Sequence, residues 1–175
     1  MNRIVLLILA MFAGGLMTQT AAQQYSCTAP EHRQFDFWLG DWDVFDFSSG
    51  SKGQLAGTNR VVKLLKDCVI QENWEGSAGG KGSSFNSYFA LDQQWHQTWV
   101  DDSGFRLELA GALKDGKMVL EGRSLDPKPG LSVLERITWN IVNGNPDQVR
   151  QFWQQSRDDG KSWTVAFDGL YVRKK

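Results

Sequence analysis

The chain has 175 residues, with 19 basic against 20 acidic side chains and a formal net charge of −1. No segment concentrates Lys and Arg, so the electrostatic footprint of a nucleic-acid binder is missing and DNA and RNA are excluded as partners. Two cysteines and two histidines are too few for a Cys- or His-rich metal centre, and neither metal nor cofactor is expected.

The chain opens Met1-Asn2-Arg3 and continues with an unbroken apolar run, Ile4 to Ala13, before Gly14, Gly15 and small or polar residues. That pattern is a secretory signal peptide over residues 1–22, with Thr20 and Ala22 as the small residues before a cut at Gln23. The run is too short to span a bilayer, and no basic amphipathic helix follows, so no membrane insertion is expected after cleavage. A secreted or periplasmic protein of one domain, residues 23–175, is the expectation. In an oxidising compartment Cys27 and Cys68 read as a disulfide, which closes a loop of about 40 residues and stabilises by roughly 4 kcal/mol on the chain-entropy model.

Next, the dense apolar string Phe35-Asp36-Phe37-Trp38-Leu39 reads as a short helical turn that plugs one end of the fold. From Trp42 onward, short segments rich in β-branched and aromatic residues alternate with Gly, Asp and Asn, the punctuation of an all-β protein. Ten strands are expected: Trp42–Phe47, Gln54–Leu65, Cys68–Glu75, Ser83–Leu91, Trp95–Asp101, Phe105–Leu113, Lys117–Leu125, Leu131–Ile141, Gln148–Ser156 and Trp163–Arg173. Asp115-Gly116, Asn143-Gly144 and Asp159-Gly160 between them are hairpin signals. An open sheet of this length would leave two edges exposed, so an antiparallel up-and-down β-barrel of about ten strands is the expected architecture.

Gly40-Asp41-Trp42 resembles the G-x-W signature that opens the first strand of lipocalin-type calycins. In those families the tryptophan packs at the closed end beneath an arginine of the last strand. The resemblance implies structural roles for Gly40, Trp42 and Arg173. The longer string Phe35 to Val44, with Gly57-Thr58-Asn59, Gln71 to Trp74, Asn86-Ser87-Tyr88, Trp95 to Asp101 and Phe167 to Tyr171, resembles a family of secreted bacterial proteins of unknown function. That family is itself similar to nitrobindin-like and lipocalin-like barrels, which implies fold rather than chemistry. Nitrobindins hold haem through a histidine near the C-terminal end, and no histidine follows His96 here. Ser156 to Trp163 fits a single Asp-box, S-x-D-x-G-x-[ST]-W. A propeller needs several repeats, so it reads as a turn with Asp158 bonding backbone amides over Trp163.

Strand alternation puts Trp95, Gln97, Trp99 and Asp101 on one face. The same mixing of aromatic and polar groups recurs on Ser84, Asn86 and Tyr88, on Leu134, Arg136 and Thr138, and on Val149, Gln151 and Trp153. Large apolar walls with a few placed polar groups suit a ligand-holding lumen. The wall is expected to comprise Asn86, Trp95, Gln97, Trp99, Asp101, Arg136, Gln151 and Tyr171. If these faces met solvent instead, the tryptophans would merely stack across strands. For Glu72 either face is open. The best reading is a barrel that binds a small, partly apolar molecule. A lumen-based lyase, isomerase or hydrolase using Asp101 or Glu72 as base, Arg136 for charge stabilisation and Tyr171 or His96 as proton donor is the first alternative. A surface carbohydrate-binding module using the eight tryptophans is the second.

Overall fold

A computed structural model of the chain describes residues 27–125 and 132–175. The expected leader and its cleavage point at Gln23 lie outside the described residues, as does Leu131. Ten strands follow one another: β1 (Gly40–Asp46), β2 (Leu55–Leu64), β3 (Val69–Gly76), β4 (Lys81–Phe89), β5 (Gln94–Asp101), β6 (Arg106–Lys114), β7 (Lys117–Leu125), β8 (Ser132–Val142), β9 (Asn145–Ser156) and β10 (Thr164–Arg173). Each pairs antiparallel with its chain neighbours, and β1 pairs with β10, so the sheet closes into an up-and-down barrel. The expected strands all form, with ends displaced by at most a few residues.

Local chemistry explains the meander. Asp115-Gly116 and Asn143-Gly144 both sit at positive φ, 49° and 74° and then 50° and 71°, as the two central residues of tight type I′ hairpins require. The third signal belongs to a longer loop between β9 and β10. There Asp158 accepts from the Ser162 amide at 2.8 Å and the Ser162 hydroxyl at 2.6 Å, and the Trp163 indole donates to the Gly160 carbonyl at 3.2 Å. Those donors, the Ser162 hydroxyl foremost, hold the Asp158 carboxyl down at about 2. The Asp-box is therefore a self-satisfied turn.

One end of the barrel is filled. Two 3₁₀ turns, Pro30–Arg33 and Asp36–Trp38, cross it and bury Phe35 and Trp38 completely. Phe35 stacks on Trp38 at 4.9 Å and meets Trp95 and Trp139 edge-on at 5.6 and 5.2 Å. Trp42 donates its indole N–H to the Trp38 carbonyl at 2.9 Å. The Cys27–Cys68 disulfide ties the segment leading into this plug to the β2–β3 loop.

Arg173 seals the seam. Its guanidinium lies 4.2 Å over the Trp42 ring, its Nη1 donates to the Leu39 carbonyl at 2.9 Å, and its Nε to Asp147 at 2.9 Å. Trp42 and Arg173 are direct partners across the β1–β10 pairing that closes the barrel. Gly40 is required beneath them, because at φ +138° its Cβ would stand 2.1 Å from Arg173 Nη1. A Gly40→Ala chain should therefore lose roughly 2 kcal/mol of unfolding free energy in urea. The comparison is Gly50→Ala, where φ is also positive but nothing lies within 4 Å. Equal losses in the two variants would show that the Arg173 approach costs nothing and that backbone strain alone decides.

Candidate functional site

The opposite end is open. Between the polar middle of the barrel and its rim lies a cup of about 190 Å³, walled by Trp74, Trp99, Trp153 and Phe167 and floored by Glu72, Gln97, Gln151 and Tyr171. Leu107 and Ile137 complete its apolar side. The aromatic rings lie against the wall because glycines give them room: Gly57 and Gly82 on strands next to those of Trp74 and Trp99, and Gly169 two residues along β10 from Phe167. A Cβ on Gly82 would meet the Trp99 ring at 2.2 Å, one on Gly57 the Trp74 ring at 2.7 Å, and one on Gly169 the Phe167 ring at 2.5 Å. With side chains there, the rings would be displaced from the wall. Two of the indoles are also fixed by their N–H groups: Trp153 donates to Glu135 at 2.6 Å, and Trp99 points at Asp101 at 3.4 Å.

Beneath the rings runs a continuous layer of hydrogen bonds from β9 through β10, β2, β3 and β4 to β5. The Tyr171 hydroxyl donates to Gln151 Oε1. The Asn59 amide donates to the Tyr171 oxygen at 3.2 Å and to Glu72 Oε1 at 2.6 Å. The Ser84 hydroxyl donates to Glu72 Oε2 at 2.7 Å and accepts from Asn86 at 2.9 Å, while Gln97 donates to Asn86 Oδ1 at 2.8 Å. Strand register produces this order, since Glu72 stands opposite Ser84 and Asn86 opposite Gln97. Asn59 Oδ1 is buried and finds no donor among the described residues.

Glu72 is the chemically distinctive member. It is 3% exposed and has no cationic partner within the layer. Burial pushes its carboxyl up to about 7, against the pull of the Ser84 and Asn59 hydrogen bonds. Burial, and after it the nearby Glu72 charge, also hold the Tyr171 phenol well above its ordinary value, so it stays a neutral donor.

Of the expected wall residues, Gln97, Trp99, Gln151 and Tyr171 line the cup. Asn86 faces inward, as expected, but serves the layer behind Gln97. Trp95 also faces inward, at the plug end, where its indole donates to Gln34 at 3.3 Å. Two expectations fail. Asp101 is at the end of β5, where its carboxylate receives the Ser103 hydroxyl at 2.6 Å and the Ser103 and Phe105 amides. It shapes the rim turn and does not line the cup. Arg136 points outward: it donates to Glu121 at 2.6 Å and stacks over Trp163 at 4.0 Å. The inward residues of β8 are Val133, Glu135, Ile137 and Trp139, one position out of step with Leu134, Arg136 and Thr138. A buried carboxylate, Glu135, conceals that alternation by putting a charge on each face. It is held by Ser124, Trp153 and Gln155 at 2.6 to 3.1 Å. His96, the other proposed proton donor, pairs with Asp92 on the outer surface at 2.8 Å.

Glu72, Asn59, Trp74 and Glu135 are interior residues that the expected wall omitted, as are Leu107, Ile137, Trp153 and Phe167. For Glu72, Trp74 and Asn59 the signal was parity: Ile70, Glu72 and Trp74 share one face of β3, and Asn59 shares its face with Val61. No protein-family model matches the chain, and no curated protein matches it in sequence.

Glu72 makes stability depend on pH. Between the ordinary value of 4.5 and about 7 the folded chain keeps a proton that the unfolded chain has released. Stability therefore falls as pH rises through that window, by roughly 3 kcal/mol. Urea unfolding at pH 5 and pH 7.5 should show about 2 kcal/mol of this loss, and Glu72→Gln should flatten it. An unchanged slope in Glu72→Gln would assign the pH dependence to another group.

Proposed function

We propose that the protein is a secreted or periplasmic barrel that binds a small, partly apolar molecule in the cup. One observation carries this reading: aromatic rings pinned back against glycines leave open space above a hydrogen-bonding floor at the unplugged end. Walls of this kind with a few placed polar groups are the usual make-up of small-molecule sites. A volume of about 190 Å³ is somewhat more than the ~150 Å³ cavity that encloses a benzene ring, so the buried part of the occupant is one ring with a few attached atoms. Secretion is supported by the leader pattern at residues 1–22 and by the Cys27–Cys68 disulfide.

Two observations bear on the alternatives. None of the eight tryptophans is fully exposed, whereas a sugar-binding platform presents several on one surface. The lumen-based enzyme is favoured by Glu72, whose carboxyl is poised near neutral beside the Tyr171 hydroxyl, as proton transfer at physiological pH requires. In that reading Arg136, Asp101 and His96 have no part, and Glu72 is the base.

Native mass spectrometry of the chain purified from its own host should show a small mass that is lost on denaturation, on a polypeptide beginning near Gln23. Gly82→Val, which drives the Trp99 ring into the cup, should carry none while giving an unchanged far-ultraviolet spectrum. A bare wild-type polypeptide that also shows no thermal shift in a broad ligand screen would overturn the binding reading. Conversion of the released compound on incubation with fresh protein, lost in Glu72→Gln, would favour the enzyme.

A further inference from the structure

We infer that the occupant of the cup is an organic cation: a protonated or quaternary amine attached to a ring-sized apolar body. This rests on the lumen-binding reading and gives it a ligand class.

The charges decide it. Among the described residues Glu72 is the one charged side chain that lines the cup, and no Lys, Arg or His lines it. Behind the wall stand two more carboxylates, Glu135 under the Trp153 indole and Asp101 beside the Trp99 indole. Arg106, Arg136 and Arg150, on strands of the barrel wall, are directed outward and already paired: Arg136 with Glu121, Arg150 with Asp168, and Arg106 with Glu108. The ionisable groups in and behind the wall are thus acidic, with no cation among the described residues there. An anionic ligand would meet Glu72 with no counter-charge, and a neutral one would leave the burial cost of that carboxylate in place.

A cation answers each feature. Ring faces carry negative charge density, and an indole whose N–H is donated to a carboxylate turns more electron density toward its face. Trp99, Trp153, Trp74 and Phe167 therefore form a cage suited to a cation over their faces. Glu72 Oε1 and Oε2 each accept one hydrogen bond from the layer, which leaves each oxygen a further lone pair for an ammonium N–H or for direct charge contact. The unpartnered Asn59 Oδ1, on a residue bonded to both Glu72 and Tyr171, adds one more negative atom to the same layer.

Binding of such a cation is linked to the Glu72 proton, because the ionised carboxylate is the form the cation prefers. The groups facing Glu72 are Asn59 of β2, Ser84 of β4 and Tyr171 of β10, and none of these changes charge near neutrality. The remaining inward carboxylate is Glu135 on β8. Affinity for a permanent cation should therefore rise about tenfold from pH 6 to pH 8, the change in the ionised fraction of a group that titrates at about 7.

The test uses the intact, disulfide-bonded chain and four probes of one shape: benzylammonium, benzyltrimethylammonium, benzyl alcohol and benzoate. Tryptophan fluorescence and calorimetry would be followed at pH 6 and pH 8. The expected result is that both cations bind about tenfold or more tightly than benzyl alcohol, that benzoate does not bind, and that benzyltrimethylammonium gains the tenfold with pH. Glu72→Gln should abolish both the preference and the pH dependence while retaining benzyl alcohol binding. Benzyl alcohol binding as tightly as the cations, or benzoate binding best, would overturn the cation inference and leave the lumen reading standing. Failure of all four to bind would overturn both.

Discussion

A ten-stranded antiparallel barrel is wider than one that its own inward side chains can fill. Eight strands already leave an interior that side chains just occupy or that holds one small ligand. The added width must be filled or kept open, and this chain does one at each end. At the plug end the N-terminal segment supplies Phe35 and Trp38, which join Trp42, Trp95 and Trp139 in a fully buried aromatic core. At the other end no segment folds inward among the described residues, and glycines hold the rings against the wall. The cup is the part of the barrel's width that the plug does not reach.

The seam between β1 and β10 anchors the filled end. Cyclic closure joins the first strand to the last, and the Trp42–Arg173 pair sits on that joint, with Leu39 and Asp147 holding the other guanidinium nitrogens. A partly exposed cation over a buried indole contributes on the order of 1 kcal/mol, and its hydrogen bonds add to it. Gly40 gives that guanidinium its place. One local arrangement therefore links the plug, the closure and the last strand, and the cup depends on it because an unclosed sheet has no lumen.

Much of this was legible in the sequence, for physical reasons that differ by element. Strand positions were readable because hairpin turns demand residues that tolerate positive φ, so Asp115-Gly116 and Asn143-Gly144 marked the breaks. The plug was readable because Phe35 to Leu39 is too apolar to remain in water. The orientation of β5 and β9 followed from tryptophans sharing a face with glutamines, and Gln97, Trp99, Gln151 and Tyr171 do meet in the cup. Orientation failed on β8, where each face carries a charge. Arg136 looked like the useful polar group, yet Glu135 is the one buried, a costly placement that sequence alternation takes as evidence of exposure. Glu72 stayed ambiguous for the same reason. Nothing in the linear pattern could show that Gly57 and Gly82 stand across from rings, because that contact is made between strands.

Both inward glutamates belong to the open half of the barrel, and among the described residues both are held by neutral donors only. A buried carboxylate with neutral donors retains part of its desolvation cost, whereas an arginine partner would relieve more of it. The chain does use such a pair elsewhere, since Arg150 grips Asp168 through two bonds of 2.7 and 2.6 Å on the outer side of β9 and β10. Among the described residues the interior therefore lacks cations although the same strands carry one outside. An arginine facing Glu72 would stabilise the fold, fill the cup and neutralise its field together. Its absence keeps the space open and the floor negative, at a cost that the aromatic core at the other end offsets. Close packing and open space are thus divided between the two ends of one barrel: the plugged end is packed to completion and the other is left unfinished among the described residues.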